Sequence, residues 1–562
     1  MKPALFACLL LAGAAAPSLG GEEVFADATA RSGIRFRHVH GAAGGKHLYE
    51  TMIGGAGWLD FDGDGRFDLY IAQGHGDSER ALEPGKEADV LYRNRGDGTF
   101  EDVTEKAGLG DRRYSSGVAV GDIDNDGDPD LYVTNVGANV LYLNRGDGTF
   151  VDITEAAGVS CRLWSTSAAF ADVNGDGLLD LYVANYLLYD PRIHRACTGN
   201  PRKIPAYCHP NKFDGAPDSL YLNLGGGRFK DISKEAGIDV AGRILSKGLG
   251  VLPTDFDGDG KIDIFVANDS VPNFLWRNLG GMRFEDAALE AGVALNSSGK
   301  ATAAMGIDGG DLNGDGLLDA MVTNFSEEPH TLFLGEPGGF FADGSARSRI
   351  AEITYLPLAF GMRFLDFDLD GDLDIYVANG HIMDNLEELY PGTKLRYAQA
   401  AQLLENDGRG TFRDISASAG AWFREARVGR GVAGADFDND GDLDLFVVNS
   451  GQAGVLLENR APRTNHWIGL QLRGSGPVNR DGFGSRVDLK VSGREIPIPL
   501  EIRSAASYQS ANDPRQIVGL GKDGQPEWAR VRWPDGKVEV FRGLRRDAYN
   551  LIEWGAGASA AR

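Results

Sequence analysis

One nine-residue pattern, D-x-[DN]-x-D-G-x-x-D, occurs seven times in this chain, and a chain so built must fold as a repeat array rather than around one ordinary core. Places 1, 3, 5 and 9 are filled by Asp60, Asp62, Asp64 and Asp68; Asp122, Asp124, Asp126 and Asp130; Asp172, Asn174, Asp176 and Asp180; Asp255, Asp257, Asp259 and Asp263; Asp311, Asn313, Asp315 and Asp319; Asp366, Asp368, Asp370 and Asp374; and Asp436, Asp438, Asp440 and Asp444. A second pattern follows each of the first six copies: an aliphatic–aromatic strand, a Gly-rich turn and another strand, as in LYRNRGDGTFEDVTEKAG from Leu91 and LYLNLGGGRFKDISKEAG from Leu220. The glycine tripeptides supply the positive φ that tight hairpins need. Each unit therefore reads as four strands: one before the Asp loop (56–59 in the first unit), one after it (68–71), and the two of the hairpin. Seven units at intervals of 50 to 83 residues predict an all-β fold, a seven-bladed β-propeller.

The seventh unit ends at LLEN, residues 456–459, without an outer strand. The segment FADATARSGI from Phe25 matches the missing FxDxTxxAGI strand, so the N-terminal strand is expected to complete the last blade and leave no free sheet edge. Asn135, Asn185, Asn268, Asn324, Asn379 and Asn449 recur after the second strand and are expected to bond loop backbone and hold the blades in register.

Oxygen donors at places 1, 3, 5 and 9, a carbonyl at 7 and a glycine at 6 can wrap one hard cation, and many flexible oxygen ligands suit calcium better than magnesium. Up to about seven Ca2+ are expected, one per loop, and they would offset roughly half of the formal net charge of −25. The loops are not EF-hands, because the bidentate Glu at place 12 is missing and strands flank them. Their expected role is to staple each blade. The acidity also excludes nucleic acid as a partner, since it repels a phosphate backbone.

Antiparallel connectivity puts the Asp loops on one face. From the first loop Asp to the end of the third strand is 22 to 24 residues in four units, but 34, 51 and 40 in the first, third and sixth. All three insertions fall between the second and third strands and crowd the opposite face, where function is expected. They hold His75, His194, His209 and His381, and the entry FRHVHGAAGGKHLYE adds His38, His40, His47 and Glu50. His38, His40, His47, Glu50, His75 and His381 are the candidates for acid–base catalysis or for binding a single transition metal. The competing reading is histidines scattered on long loops.

Residues 1–20, MKPALFACLLLAGAAAPSLG, read as an export signal, and no later apolar run is long enough to span a membrane. The expected location is periplasmic or extracellular. An oxidising compartment permits disulfides; Cys197 and Cys208 share one Pro-rich insertion and are the expected pair. Cys161 is then left over, either free and buried or the true partner of one of them; sequence leaves the connectivity open. The expected organisation is signal peptide over 1–20, propeller over 21–461, a small β domain over 462–556 and a tail over 557–562.

In the last domain, WIGLQLRG, SRVDLKVSG and ARVRWPDGKVEVF alternate as strands, with NRDGFGSRV and SYQSANDPRQIVGLG irregular between them. The Asp-loop repeats resemble FG-GAP/VCBS repeats, and these tail motifs resemble the ASPIC/UnbV domain; together they look like the cartilage-acidic-protein-like group. The resemblance implies a propeller with calcium held by Asp60, Asp62, Asp64, Asp68 and their equivalents, secretion and, more loosely, adhesion. It implies no defined chemistry.

The sequence therefore favours a calcium-dependent binding or adhesion module for an extracellular glycan or protein over an enzyme, because GxSxG, P-loop, nucleotide-binding and CxxC patterns are all missing. The alternatives are an enzyme on the insertion face, lyase- or dehydratase-like or built on a His-bound transition metal, and a structural or assembly component.

Overall fold

The strand after each Asp loop is buried at every residue: DLYI at Asp68–Ile71, DLYVTN at Asp130–Asn135 and DIFVAN at Asp263–Asn268 are examples. A strand apolar along its whole length needs cover on both sheet faces. In this computed structural model, which describes residues 23–200, 202–239 and 246–559, stacked sheets provide that cover. The expected export signal lies outside the described residues.

The described residues form seven four-stranded antiparallel sheets, here I to VII in chain order. Sheet VII takes Phe25–Asp27 as its outer strand, with Phe25 opposite Asn459. The first strands, Ala56–Leu59, Ser115–Gly121, Ser165–Ala171, Gly248–Thr254, Ile307–Gly310, Ala359–Leu365 and Gly429–Ala435, pack each against the next and the last against the first. Glycine allows this convergence: a Cβ on Gly117 would stand 2.3 Å from the Thr166 carbonyl oxygen, and one on Gly431 only 2.1 Å from that of Gly54. The Gly431 N–H donates to that Gly54 oxygen at 3.0 Å, joining sheet VII to sheet I. The arrangement is all-β and propeller-like.

Neighbouring sheets are latched by the asparagine that ends each third strand. The Nδ2 of Asn94 donates to the Phe437 carbonyl at 2.7 Å, that of Asn144 to Phe61 at 2.9 Å, of Asn223 to Ile123 at 2.8 Å, of Asn278 to Val173 at 2.7 Å, of Asn406 to Leu312 at 2.8 Å and of Asn459 to Phe367 at 2.9 Å. Sheet V has Gly335 in this place, where a Cβ would meet the Leu318 oxygen at 2.3 Å, so its boundary with sheet IV lacks the latch. Five of the six asparagines singled out after the second strands bond loop backbone within their own sheets, as Asn185 does to Pro217 and Asn268 to Pro272, whereas Asn135 Nδ2 donates to the Asp111 carboxylate at 3.1 Å.

The C-terminal region forms a three-stranded sheet (Gln516–Gly521, His466–Arg473, Tyr549–Glu553) and a five-stranded sheet (Ile498–Glu501, Arg486–Val491, Pro526–Arg532, Val538–Phe541, Ala558–Ser559). Its core of Ile468, Val487, Leu489, Val531 and Trp533 runs into apolar residues of sheets II and III, including Ile123 and Leu179. The region lies over the Asp-loop face. Arg480 N–H donates to Asn125 Oδ1 at 2.7 Å, Gly519 N–H to Asp366 Oδ2 at 2.9 Å and Tyr549 Oη to Asp436 Oδ2 at 2.6 Å.

The irregular segment between the tail strands leaves this domain and runs inside the ring of first strands. Ser504 Oγ donates to Phe170 O, Ser507 N–H to Ile307 O, Ala511 N–H to Ala56 O and Asp513 N–H to Gly434 O, while Gln509 O accepts from Val118 N–H. At its tip the fully buried Tyr508 donates to the Met52 carbonyl and packs 5.0 Å from Phe360. The axis of the ring is thus filled by the chain's own tail.

Candidate metal loops and the opposite mouth

Each Asp loop is preformed by its own carboxylates. Place 1 accepts from the place 6 N–H in every loop, as Asp60 from Gly65 at 2.9 Å and Asp122 from Gly127 at 2.8 Å. Place 9 accepts from the N–H at the end of the third strand, as Asp68 from Asn94 at 2.7 Å. The turn uses positive φ at place 4 as well as place 6, including Asn125 (60°), Asn439 (59°) and Leu369 (61°). This second requirement went unread in the sequence, although place 4 is Gly or Asn in six of the seven loops. Leu369 is the exception and carries the strain of a side chain in the left-handed region.

Five loops bring three carboxylates within 4.8 Å of one another: Asp60, Asp62 and Asp68; Asp122, Asp124 and Asp130; Asp255, Asp257 and Asp259; Asp366, Asp368 and Asp374; and Asp436, Asp438 and Asp444. Each of the same five loops holds a buried carboxylate oxygen with no hydrogen-bond partner, the Oδ1 of Asp62, Asp124, Asp255, Asp366 and Asp442. The two loops with Asn at place 3 differ. Asn174 Nδ2 donates to Asp176 at 2.8 Å, and Asn313 Nδ2 to Asp315 at 2.9 Å, so an amide meets the carboxylate internally. The five donor sets fit a hard cation, because orphaned buried carboxylate oxygens are costly unless a cation faces them.

Burial, reinforced by neighbouring aspartates, pushes these carboxyls far above their ordinary range. Asp68 and Asp263 rise to about 8, Asp130 to about 9 and Asp122 to about 7, while Asp374 and Asp444 also rise well above it. A nearby cation reverses that penalty by favouring the ionised form.

At the other end, the insertions of sheets I, III and VI meet the entry segment. Arg202 Nη1 donates to Glu388 O at 2.9 Å and Asn385 Nδ2 to Pro205 O at 3.0 Å, joining the insertions of sheets III and VI. Lys46 pairs with Asp384 at 2.6 Å, and Glu50 accepts from Ser78 Oγ at 2.6 Å and Tyr207 Oη at 2.9 Å. A Cys197–Cys208 disulfide ties the third insertion, and Cys161 is free and buried. Beneath them Tyr49, Tyr114, Trp164, Tyr186, Tyr207 and the tail's Tyr508 form one cluster.

The candidate side chains of this mouth are largely absorbed into packing. His47 stacks on Tyr49 at 5.2 Å and lies 4.8 Å from His194; His38 and His40 are 6.5 Å apart; His75 packs on Tyr114 and His381 on Phe325. His209 is exposed, with Nδ1 accepting from the Asn211 N–H at 3.2 Å. Burial lowers His38 to about 3, helped by His40 and Arg430, and lowers His381 to about 3, helped by Arg430. Burial also lowers His40, His75 and His194 and raises Glu50. Among the described residues, no trio of His, Cys, Asp or Glu ligand atoms within 4.8 Å includes a histidine. Arg430 was not singled out from the sequence. It is fully buried, lies 4.2 Å from the Phe360 ring and donates to the carbonyls of Thr51, Gly380, Gly429 and His381. Its signal was a charge between two glycines in a first strand, Gly429-Arg430-Gly431.

Comparison with known proteins follows this division of the chain. The FG-GAP-like repeat family matches residues 60–133, 122–183, 255–322 and 366–447, and the ASPIC and UnbV family matches 475–559. Cartilage acidic protein 1 of Homo sapiens is 28% identical over 365 residues, covering 60% of this chain and 47% of that protein. Its Xenopus tropicalis counterpart is 28% identical over 300 residues, 49% of this chain and 40% of that protein. The chain thus spans about half the length of these relatives or less. Among solved structures, an Agrocybe aegerita lectin that recognises non-reducing terminal N-acetylglucosamine is similar at 18% identity and a TM-score of 0.37, covering 65% of this chain and 85% of that one.

Proposed function

This chain is an FG-GAP-like repeat protein with a C-terminal ASPIC and UnbV domain, and from that premise we propose that it is an exported, calcium-stapled, closed seven-bladed propeller that binds an extracellular glycan or protein on its insertion face. Calcium would sit in the five loops whose carboxylates crowd together, held by Asp60, Asp62 and Asp68 and their equivalents, and would supply charge neutralisation and turn rigidity. The two Asn-bearing loops would bind it weakly or not at all. Expected content is therefore nearer five ions per chain than seven.

The observation that carries the binding reading is the composition of the insertions. Leu82, Leu188, Ile193 and Tyr390, all on these three segments, are 49%, 48%, 75% and 55% exposed. Large exposed apolar side chains on the insertions suit a contact surface, although others, such as Leu224, Leu279 and Phe340, are exposed on the hairpins of the opposite side. The Asp-loop face is already covered by the tail domain, which leaves the insertion face for a partner.

The test couples elemental analysis of the purified, calcium-replete chain with a glycan array and a cross-linking screen. Ile193→Asp and Tyr390→Asp should abolish binding of any partner found while leaving the melting temperature unchanged. Binding that survives both substitutions, or that is lost only on disturbing the Asp-loop face, would overturn the assignment of the face. Calcium-replete protein that holds little calcium would overturn the metal reading.

A further inference from the structure

The tail domain and sheets V to VII enclose a cavity away from the mouth that borders two Asp loops at Asp311 and Asp366. Its volume is about 90 Å3, and a neighbouring cavity of about 60 Å3 shares Pro499, Leu500 and Ile517 with it, so the two form one crevice beside the strand Ile498–Glu501. That is room for a molecule larger than one water. Its charged lining is four arginines, Arg363, Arg486, Arg503 and Arg515, and three carboxylates, Glu501, Asp311 and Asp366.

Two of the arginines are committed. Arg515 donates to both oxygens of Asp513 and lies 4.5 Å from the Phe67 ring and 4.2 Å from that of Tyr549. Arg363 pairs with Asp308 at 2.6 Å. Arg486 is only loosely held, 3.6 Å from Asp488, which Arg530 holds at 2.6 Å. Arg503 differs in lacking an ion pair, although Arg363 Nε is likewise buried without a hydrogen-bond partner. Arg503 Nη1 is buried without a hydrogen-bond partner, and among the described residues no carboxylate lies within ion-pair distance of it. A buried guanidinium N–H with no acceptor is costly, and a planar fork of donors matches a carboxylate. Phe364, Leu365, Leu373 and Leu443 add an apolar stretch of wall.

We propose that this crevice binds a small aliphatic carboxylate, with Arg503 as its principal anchor, Arg486 as a second donor and the apolar wall taking the alkyl part. The site stands on the Asp-loop side of the ring, so its failure would leave the insertion-face reading untouched.

The experiment uses the full, calcium-loaded chain at constant ionic strength. Sodium acetate, butyrate and sulfate are titrated against a sodium chloride reference, with thermal melting and calorimetric binding as readouts. Butyrate should stabilise saturably and bind more tightly than acetate. Arg503→Met should weaken it roughly tenfold or more, as expected for a lost charge-assisted pair, yet melt no lower than the parent in chloride. Arg503→Lys should restore part of the affinity, and Glu501→Gln should tighten binding by removing a nearby negative charge. No saturable effect of either carboxylate, an equal effect in Arg503→Met, or stabilisation by sulfate alone would each overturn the proposal.

Discussion

The two ends of the ring use one scaffold for opposite electrostatic purposes. At the Asp-loop end, burial, reinforced by neighbouring aspartates, raises the carboxyl pKa values, and the tail domain lies over them. At the insertion end, burial lowers His38 and His381 far below their ordinary value, and His47, His75 and His381 pack on aromatic rings. At the first end aspartates outnumber the arginines that reach them, such as Arg93, Arg463 and Arg532; at the second the fully buried guanidinium of Arg430 is held by backbone carbonyls. The same fold can do both because each second strand is buried whatever its loops carry, so the loops are free to specialise.

Removing metal should separate the ends most strongly. An Asp whose folded pKa is raised is at its most stabilising below the unfolded value near 3.9, and that contribution is lost as pH rises through the folded value. For Asp68 and Asp263 the folded value is about 8. Chelated protein should therefore melt at progressively lower temperature from pH 5 to pH 8.5, while calcium-loaded protein should not, because the ion binds the ionised form. Each site contributes about 2.7 kcal/mol at a hundredfold excess over its Kd. Identical pH–melting curves with and without chelator would break the comparison at its root.

Next in size is the link between the ends. Tyr508 crosses from the tail domain to the mouth, and Tyr508→Ala should cost about 3–5 kcal/mol, the usual range for a large buried aromatic. Chemical denaturation measures this directly; an unchanged midpoint would mean that the tip of the tail segment is not anchored in the mouth. A smaller change sharpens the contrast within the Asp-loop end. Asp124→Asn should lower the calcium content by one ion and Asn174→Asp should raise it by one, both read by elemental analysis, with melting temperatures moving in the same senses. No change in either count would remove the distinction between five loops and two.

The smallest effect tests the insertion end. His381 has a folded value near 3, below its unfolded value of about 6.5, so its contribution is complete above pH 6.5 and is lost as pH falls through that range. His381→Gln should change stability at pH 7 by less than about 1 kcal/mol but lessen the fall in melting temperature between pH 7 and pH 5. An acid slope that is unaltered would assign that sensitivity elsewhere.

Seven Asp loops, the hairpin that follows each of the first six and the N-terminal strand that completes sheet VII were all readable in the chain itself. Each rests on residues a few positions apart, where turn geometry and strand periodicity act locally. The Cys197–Cys208 pair was favoured for the same reason. What the tertiary structure decided lies between distant segments. It set the tail domain over the Asp loops and threaded Tyr508 down the axis, assigned the latch to the third-strand asparagines, and buried His38, His47, His75 and His381, four of the histidines that had looked available for chemistry. The difference between the two Asn loops and the five Asp loops is by contrast local, since each amide meets the aspartate two residues on. Repeats encode each sheet; which surfaces meet across the ring is decided by packing of side chains hundreds of positions apart, and no local pattern carries that information.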